Sequence, residues 1–281
     1  MCTKQLNDLK HCELQMLQAF VSVCDQLHLK YYLVEGTLLG AIRHQGFIPW
    51  DDDIDVGMPR ADYERFLREA QALLPDHYFV QSMYSEPEYH ANFAKIRDCQ
   101  TTFVESSVKK RSINHGVYID IFPLDYAPES KLARRCIKYA NIICALRIAQ
   151  VFTLPPRQSS KLKHILRGRG EMFSNLCFPK LQQAVKAQKR LFTACKQSTL
   201  VTNYGSAWGE REVVPSAWYG DGCYLTFEGL TVRVPSEYDK LLTQIYGDYM
   251  TPPPPEQQVG HHYAEVIDLD KPYTEYVSLK K

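Results

Sequence analysis

Apolar residues at the start of the chain recur near helical spacing. In residues 5–28, Leu6, Leu9, Met16, Leu17, Phe20, Cys24 and Leu27 mark an amphipathic helix whose stripe is core. "KYYLV" then predicts a short strand, "EG" a turn, and "TLLGAIRH" a helix that begins at or just after Thr37. A loop, "QGFIP", leads to "WDDDIDVGM" at 50–58. Side chains alternate faces along a strand, so Trp50, Ile54, Val56 and Met58 fall on one side and Asp51, Asp53 and Asp55 on the other. Asp52 is the exception, on the apolar side at the strand entrance. "RADYERFLREAQALL" is helical and stops at Pro75, and "NFAKIRD", "TTFVES" and "HGVYIDIFPLD" predict three strands. Residues 130–209 are mainly helical by composition, with a break at "TLPPRQSS", 153–160. "CYLTFEGLTVRVP" predicts a hairpin turning at Glu228 and Gly229. Ser236 is placed to cap a helix with Asp239 at the capping-box position and Gly247 at its end. "TPPPPEQQ" predicts an extended polyproline connector. No internal repeat appears.

Composition narrows the class. With 281 residues and 45% apolar side chains the chain can bury a full core. The longest apolar run, 136–152, is interrupted by Lys138, Asn141, Arg147 and Gln150, and a spanning helix needs about 20 mostly apolar residues. The N-terminal residues lack the basic start, apolar run and cleavage site of a secretory signal, and nine cysteines without zinc spacing fit a reducing compartment. The expected location is cytoplasmic. The net charge of +1 hides a division: from Ser130 to Gly209 fifteen Lys or Arg face one acid, Glu171, giving +14, and the remainder carries −13. A basic helical insertion meeting an anionic surface is one reading, and an insertion neutralised by acids elsewhere in the fold is the other. No stacking-platform motif accompanies the charge, so nucleic acid is not an expected partner.

The candidate chemistry lies in the acidic segment. Carboxylates crowded on one strand face repel one another, and one or two hard divalent cations would relieve them. An EF-hand loop fails, because its sixth position is Val56 where Gly is needed and its twelfth is Asp62 where Glu is needed. Asp120 stands amid apolar residues in a predicted interior strand, where a bare charge is costly, so it is a third metal ligand or a general base. Asp125, after Pro123, reads as a turn cap. Gly36 and Thr37, between a strand and a helix N-terminus, suit a phosphate. Lys95 and Arg97 share one strand face and suit a polyphosphate leaving group, although a surface ion pair of Arg97 or Lys95 with Asp98 or Glu105 competes.

The blocks "VEGTLLGAIRHQGFIPWDDDIDVGMPRADYERF", "AKIRDCQTTFVE", "HGVYIDIFPLD" and "YGDYMTPPPPEQQVGHH" resemble, in order, signature blocks of the LicD phosphotransferases, a family with a nucleotidyltransferase fold that includes the catalytic domains of fukutin and fukutin-related protein. The resemblance runs from about residue 20 to residue 265, is weakest in the basic segment, and implies an α+β fold: a nucleotidyltransferase-like mixed β-sheet flanked by helices, in one domain spanning 1–281 with the basic helical segment 130–209 inserted in it. It implies transfer of a phospho-alcohol such as phosphocholine from a CDP-activated donor, CDP-choline or a related CDP-alcohol, to a hydroxyl of a cell-surface glycan, with release of CMP. The glycan would be a teichoic acid, lipooligosaccharide or capsule precursor. By the same resemblance Asp51, Asp53, Asp55 and Asp120 would hold Mg2+, with Mn2+ as the alternative, and Gly36 and Thr37 would lie against the donor phosphates. Asp53, Asp55 and Asp120 would be catalytic, with Asp120 the candidate base. The turn lies 17 residues before Asp53, longer than the general fold pattern. Trp208, Trp218 and Tyr219, with Glu35 or Glu228, are candidates for a choline cage, and His115, His261 and His262 are lesser candidates near the site. The basic helices would rest on the inner face of the cytoplasmic membrane beside a lipid-linked acceptor.

Overall fold

The computed structural model describes residues 3–152, 161–260 and 263–277, with the side chains of 161–167 excepted. The expected break at 153–160 and the pair His261 and His262 lie outside the described residues. The elements are α1 (Thr3–Gln26), β1 (Tyr32–Leu33), α2 (Glu35–His44), β2 (Asp55–Pro59), α3 (Arg60–Glu69), β3 (Tyr78–Gln81), β4 (Ala94–Asp98), β5 (Thr102–Glu105) and β6 (Val117–Ala127). They continue with α4 (Lys131–Ala149), α5 (Lys161–Cys177), α6 (Leu181–Phe192), β7 (Leu200–Thr202), β8 (Val214–Pro215), β9 (Cys223–Phe227), β10 (Leu230–Val234), α7 (Tyr238–Tyr246) and β11 (Ala264–Asp268).

The α+β expectation holds. Seven strands form a mixed sheet in the order β1-β2-β6-β4-β3, with β7 on the far end of β6 and β8 beyond it. Only the β2–β6 pair is parallel. Strand β6 is long enough to pair with β4 through residues 117–121, with β2 through residues 120–124 and with β7 through its last three residues. Ile119, Ile121, Ile96 and Val56 are fully buried and belong to one cluster with Leu9, Met16, Leu17 and Phe20 of α1 and Phe66 of α3. The alternate positions include Asp55, Lys95, Arg97 and Asp120 among apolar residues such as Phe122, and Lys95, Arg97 and Asp120 line a cavity walled on its other side by Asn141 and Ile148 of α4 and Gln188 and Phe192 of α6. Within the basic segment Ile148, Ala184 and Val185 bury a small cluster against Met83, while Lys189 of α6 pairs with Glu64 of α3 at 2.6 Å and Arg134 of α4 pairs with Glu210 at 3.0 Å.

Four local expectations change. Helix α2 starts at Glu35, so "EG" is its first turn, entered through Glu35 at φ +50°. The acidic strand begins only at Asp55, because the ladder starts where Val34 N–H donates to Asp55 O and Asp55 N–H donates to Thr37 Oγ1. Ser236 does not cap α7: its hydroxyl accepts from Gly222 N–H, and the helix starts two residues later. Asp125 is no turn cap but a strand residue held by both sides of the Arg60 guanidinium at 2.7 and 2.6 Å. The polyproline run ends in a 3-10 turn at Pro255–Gln257. The predicted hairpin forms as expected, with Glu228 and Gly229 both at positive φ, the backbone a two-residue turn of this hand requires.

Candidate functional site

Strand register gathers the acids. Asp55 on β2 stands opposite Asp120 on β6, Asp120 opposite Lys95 on β4, and Lys95 opposite Gln81 on β3. Residues directly paired across strands share a face, so Asp55, Asp120 and Lys95 form one row over three adjacent strands. All three are buried. Lys95 Nζ lies 2.8 Å from Asp120 Oδ1 and 3.3 Å from the centroid of the Tyr118 ring, although Asp120 Oδ1 makes no hydrogen bond of good geometry. Strand pairing thus delivers two carboxylates and an ammonium to one spot.

Asp51, Asp52 and Asp53 approach that row from the loop before β2. Each offers an oxygen within 4.8 Å of the others, a set of hard donors that fits a divalent cation. Asp52 belongs to the group, contrary to the alternation expected of a strand, since no strand exists there to impose parity. Asp51 Oδ2 would lie 2.6 Å from a Cβ built on Gly36, so only glycine admits it there. The Asp51 carboxylate therefore lies close against Gly36 in the first turn of α2. Thr37 meanwhile positions Asp55 by accepting its main-chain N–H at 2.8 Å. The Asp55 carboxyl is raised well above the ordinary range, first by burial, then by Asp53 and Asp120.

Glu13 was not among the expected site residues. It is buried on α1, and burial followed by Asp53, Asp52 and Asp51 raises its carboxyl. A signal existed: Glu13 occupies the apolar stripe, four residues after Leu9 and three before Met16. A second acidic pair adjoins the row. Asn203 Nδ2 donates to Glu35 Oε1 at 3.2 Å and Ser206 Oγ donates to Glu212 Oε1 at 3.1 Å. Glu212 is pushed up to about 9 by burial and then by Glu35, with Tyr219 and Tyr246 also facing the pair. A folded-state value above the ordinary 4.5 means stability that is present below pH 4.5 and lost as pH rises through about 9. Glu212→Gln is expected to flatten the fall in melting temperature between about pH 5 and pH 9. Identical pH profiles of variant and parent in thermal melts would show that the pair holds no proton.

The remaining candidates separate. Arg97 is 1% exposed, and each of its nitrogens donates to the protein: to Gln81 Oε1, Gly116 O and Glu105 Oε2. The pair with Glu105 is the competing reading of that residue, buried rather than on the surface. Glu228 accepts from Phe47 N–H and so ties the hairpin to the loop after α2. Tyr219 packs edge-on against Tyr32, and His115 is buried with Nε2 3.0 Å from Arg111 O. Trp208 packs edge-on against Tyr246 and adjoins Glu35.

The family described as LicD/FKTN/FKRP, nucleotidyltransferase domain, matches residues 28–141, which contain the whole acidic row. The lipopolysaccharide cholinephosphotransferase LicD of Haemophilus influenzae is 33% identical over 263 residues, covering 91% of this chain and 95% of its own. Two uncharacterised rickettsial proteins, from Rickettsia prowazekii and Rickettsia typhi, are 31% and 34% identical over 103 and 116 residues, each match covering 35% of the relative. With a near full-length match of this kind, the chain belongs to the LicD family.

Proposed function

We propose that the protein is a divalent-cation-dependent transferase that moves phosphocholine, or a related phospho-alcohol, from a CDP-activated donor to a hydroxyl of a cell-surface glycan and releases CMP. The observation that carries this reading is the row of Asp55, Asp120 and Lys95 beside the Asp51–Asp53 carboxylates. The full-length likeness to a lipopolysaccharide cholinephosphotransferase supports the substrate class. We take the chain as one catalytic domain with residues 130–209 inserted in it.

Asp51, Asp53 and Asp55 would hold Mg2+ or Mn2+, with Asp52 and Glu13 close enough to share the charge. The bound cation would neutralise pyrophosphate oxygens and polarise the phosphorus under attack. Asp120 would receive the proton of the attacking hydroxyl. Lys95, with its ammonium 2.8 Å from Asp120, would offset negative charge on the oxygens of the transferring phosphoryl group. Thr37 and Gly36 position Asp55 and Asp51, while Arg97 braces the strand on which Lys95 stands. The test is incubation with magnesium, a panel of CDP-alcohols and sugar acceptors, with both products identified by mass spectrometry. Free CMP with a phosphocholine-bearing sugar supports the reading, whereas a nucleotidylated sugar would make the protein a nucleotidyltransferase.

No helix among the described residues is long and apolar enough to cross a membrane. Even so, the basic segment presents Leu132, Tyr139 and Ile142 on α4 and Met172, Phe173 and Leu176 on α5 to solvent, Leu176 at 73%. Spacings of seven and ten residues on α4, and of one and four on α5, keep each set on one face. Apolar faces inside a +14 segment suit an anionic membrane surface, at ~1 kcal/mol per basic residue close to the lipid. In liposome flotation with about 30% anionic lipid the protein is expected to float, and Phe173→Glu with Leu176→Glu to stay at the bottom. Equal recovery with purely neutral lipid at low salt would exclude this role.

A further inference from the structure

A cavity of about 370 Å³ lies between the polar face of the sheet and helices α4 and α6, with Asp120 and Lys95 in its lining. Its volume is in the range of about 300–1,000 Å³ typical of small-molecule pockets. Among the described residues nine buried side-chain atoms make no hydrogen bond of good geometry, and five belong to residues of this cavity: Tyr89 OH, His90 Nδ1, Asn92 Oδ1 and Tyr204 OH, together with Asp120 Oδ1, which has the Lys95 ammonium at 2.8 Å. Leaving such an atom unpaired costs about 1–3 kcal/mol, so their concentration at one place marks a position where something else completes them.

Their chemistry selects the partner. Asn92 Oδ1 and Asp120 Oδ1 accept, the two phenol hydroxyls both donate and accept, and burial pushes His90 down to about 4, leaving a neutral ring. A phosphate has no donors for Asn92 and Asp120. A quaternary ammonium makes no hydrogen bonds and would leave Tyr89 OH, His90 Nδ1, Asn92 Oδ1 and Tyr204 OH unpaired. A hydroxyl-rich ring donates and accepts around its whole edge. The cavity also offers it an apolar face: Phe192 and Tyr204 stack at 4.4 Å with planes 8° apart. The amide of Asn92 is fixed for the task, since its nitrogen donates to Gln188 Oε1 at 2.5 Å while Gln188 Nε2 donates to Asn141 Oδ1 at 2.8 Å. Gln188 and Asn141 come from α6 and α4, so the basic segment builds one wall of the cavity.

We propose that this cavity is the acceptor subsite and takes a sugar ring, held by Tyr89, Asn92 and Tyr204, with one hydroxyl directed to Asp120. The inference rests on the transferase reading for its role but not for its binding chemistry. Tyr89→Phe and Tyr204→Phe remove hydroxyls that bond to nothing in the protein, so both variants are expected to melt no lower than the parent. Saturation-transfer NMR on the full chain would use methyl glycosides of a hexose and of an N-acetylhexosamine, with choline and CMP as comparison probes. The expected result is a glycoside signal at about 10 mM that weakens about 3- to 10-fold in each Phe variant, with CMP and choline signals unchanged. In the transfer assay the same variants should raise the acceptor KM by a similar factor and leave the donor KM unmoved. No glycoside signal, a glycoside signal indifferent to both variants, or a CMP or choline signal that falls with them would each overturn the subsite. Glycoside binding lost in the variants without turnover of any CDP-alcohol would keep the subsite and remove the proposed reaction.

Discussion

Asp55→Asn is expected to lower phosphocholine transfer by about a thousandfold, ~4 kcal/mol of transition-state stabilisation, while raising the melting temperature of the metal-free protein. The two effects have one cause. Asp55 is buried at the start of β2, paired in register with Asp120 and next to Asp53, and the crowding raises its carboxyl. Asparagine keeps the shape and leaves the main-chain bond from Asp55 N–H to Thr37 Oγ1 intact, but it removes a negative charge from the site. Each pKa unit of relieved repulsion is worth ~1.4 kcal/mol, so relief of ~1–2 kcal/mol is expected to raise the melting temperature by about 3–6 °C. A residue kept for stability would behave the other way. Loss of activity together with a lower melting temperature in circular dichroism would make Asp55 a structural residue and leave the acidic row without a catalytic role.

The row was legible in outline because β4 alternates Lys95 and Arg97 with Ala94 and Ile96, and because Asp120 interrupts an apolar run in which nothing else is charged. The start of β2 was not. Alternation predicts a strand from Trp50, yet β2 begins only at Asp55, so Asp52 joins Asp51 and Asp53 although sequence parity sends it elsewhere. Strand β3 has four residues and β11 follows a proline-rich connector to pair with β5 more than 150 positions earlier, so neither has a local pattern strong enough to announce it. Glu13 was legible as a carboxylate on an apolar stripe, but its proximity to Asp53 depends on how α1 lies across the sheet. The cavity is a product of tertiary structure altogether: Asn92 and Gln188 meet across 96 positions of chain. The charge division of the basic segment was plain in the sequence. That α4 and α6 wall a cavity at Asp120 was hidden, since composition reports a helix's charge and says nothing of what its inner face covers.

Millimolar Mg2+ is expected to raise the melting temperature by about 5–10 °C, and chelation to reverse it. Three aspartates with oxygens within 4.8 Å of one another repel, as the raised carboxyls of neighbouring Asp55 and Glu13 reflect, and a divalent cation among them would relieve that repulsion. A ligand at a hundred times its Kd stabilises by ~2.7 kcal/mol, and a domain of this size gains about 2–4 °C per kcal/mol. General screening does not produce the same result: sodium chloride of equal ionic strength weakens interactions between exposed charges and acts far less on buried ones. The size of the shift at fixed ionic strength therefore reports binding. Mg2+ and Mn2+ should exceed Zn2+, because every donor in the cluster is a carboxylate oxygen and no thiol or imidazole of the described residues joins it. Asp53→Asn would take away a proposed ligand and part of the repulsion together, so its metal-free form should melt higher than the parent and its Mg2+ shift should nearly vanish. A full shift in Asp53→Asn would place the cation elsewhere in the molecule, and no shift in the parent would deny the cluster its metal. Both results can be read without any turnover, which keeps the metal question independent of the choice of donor and acceptor.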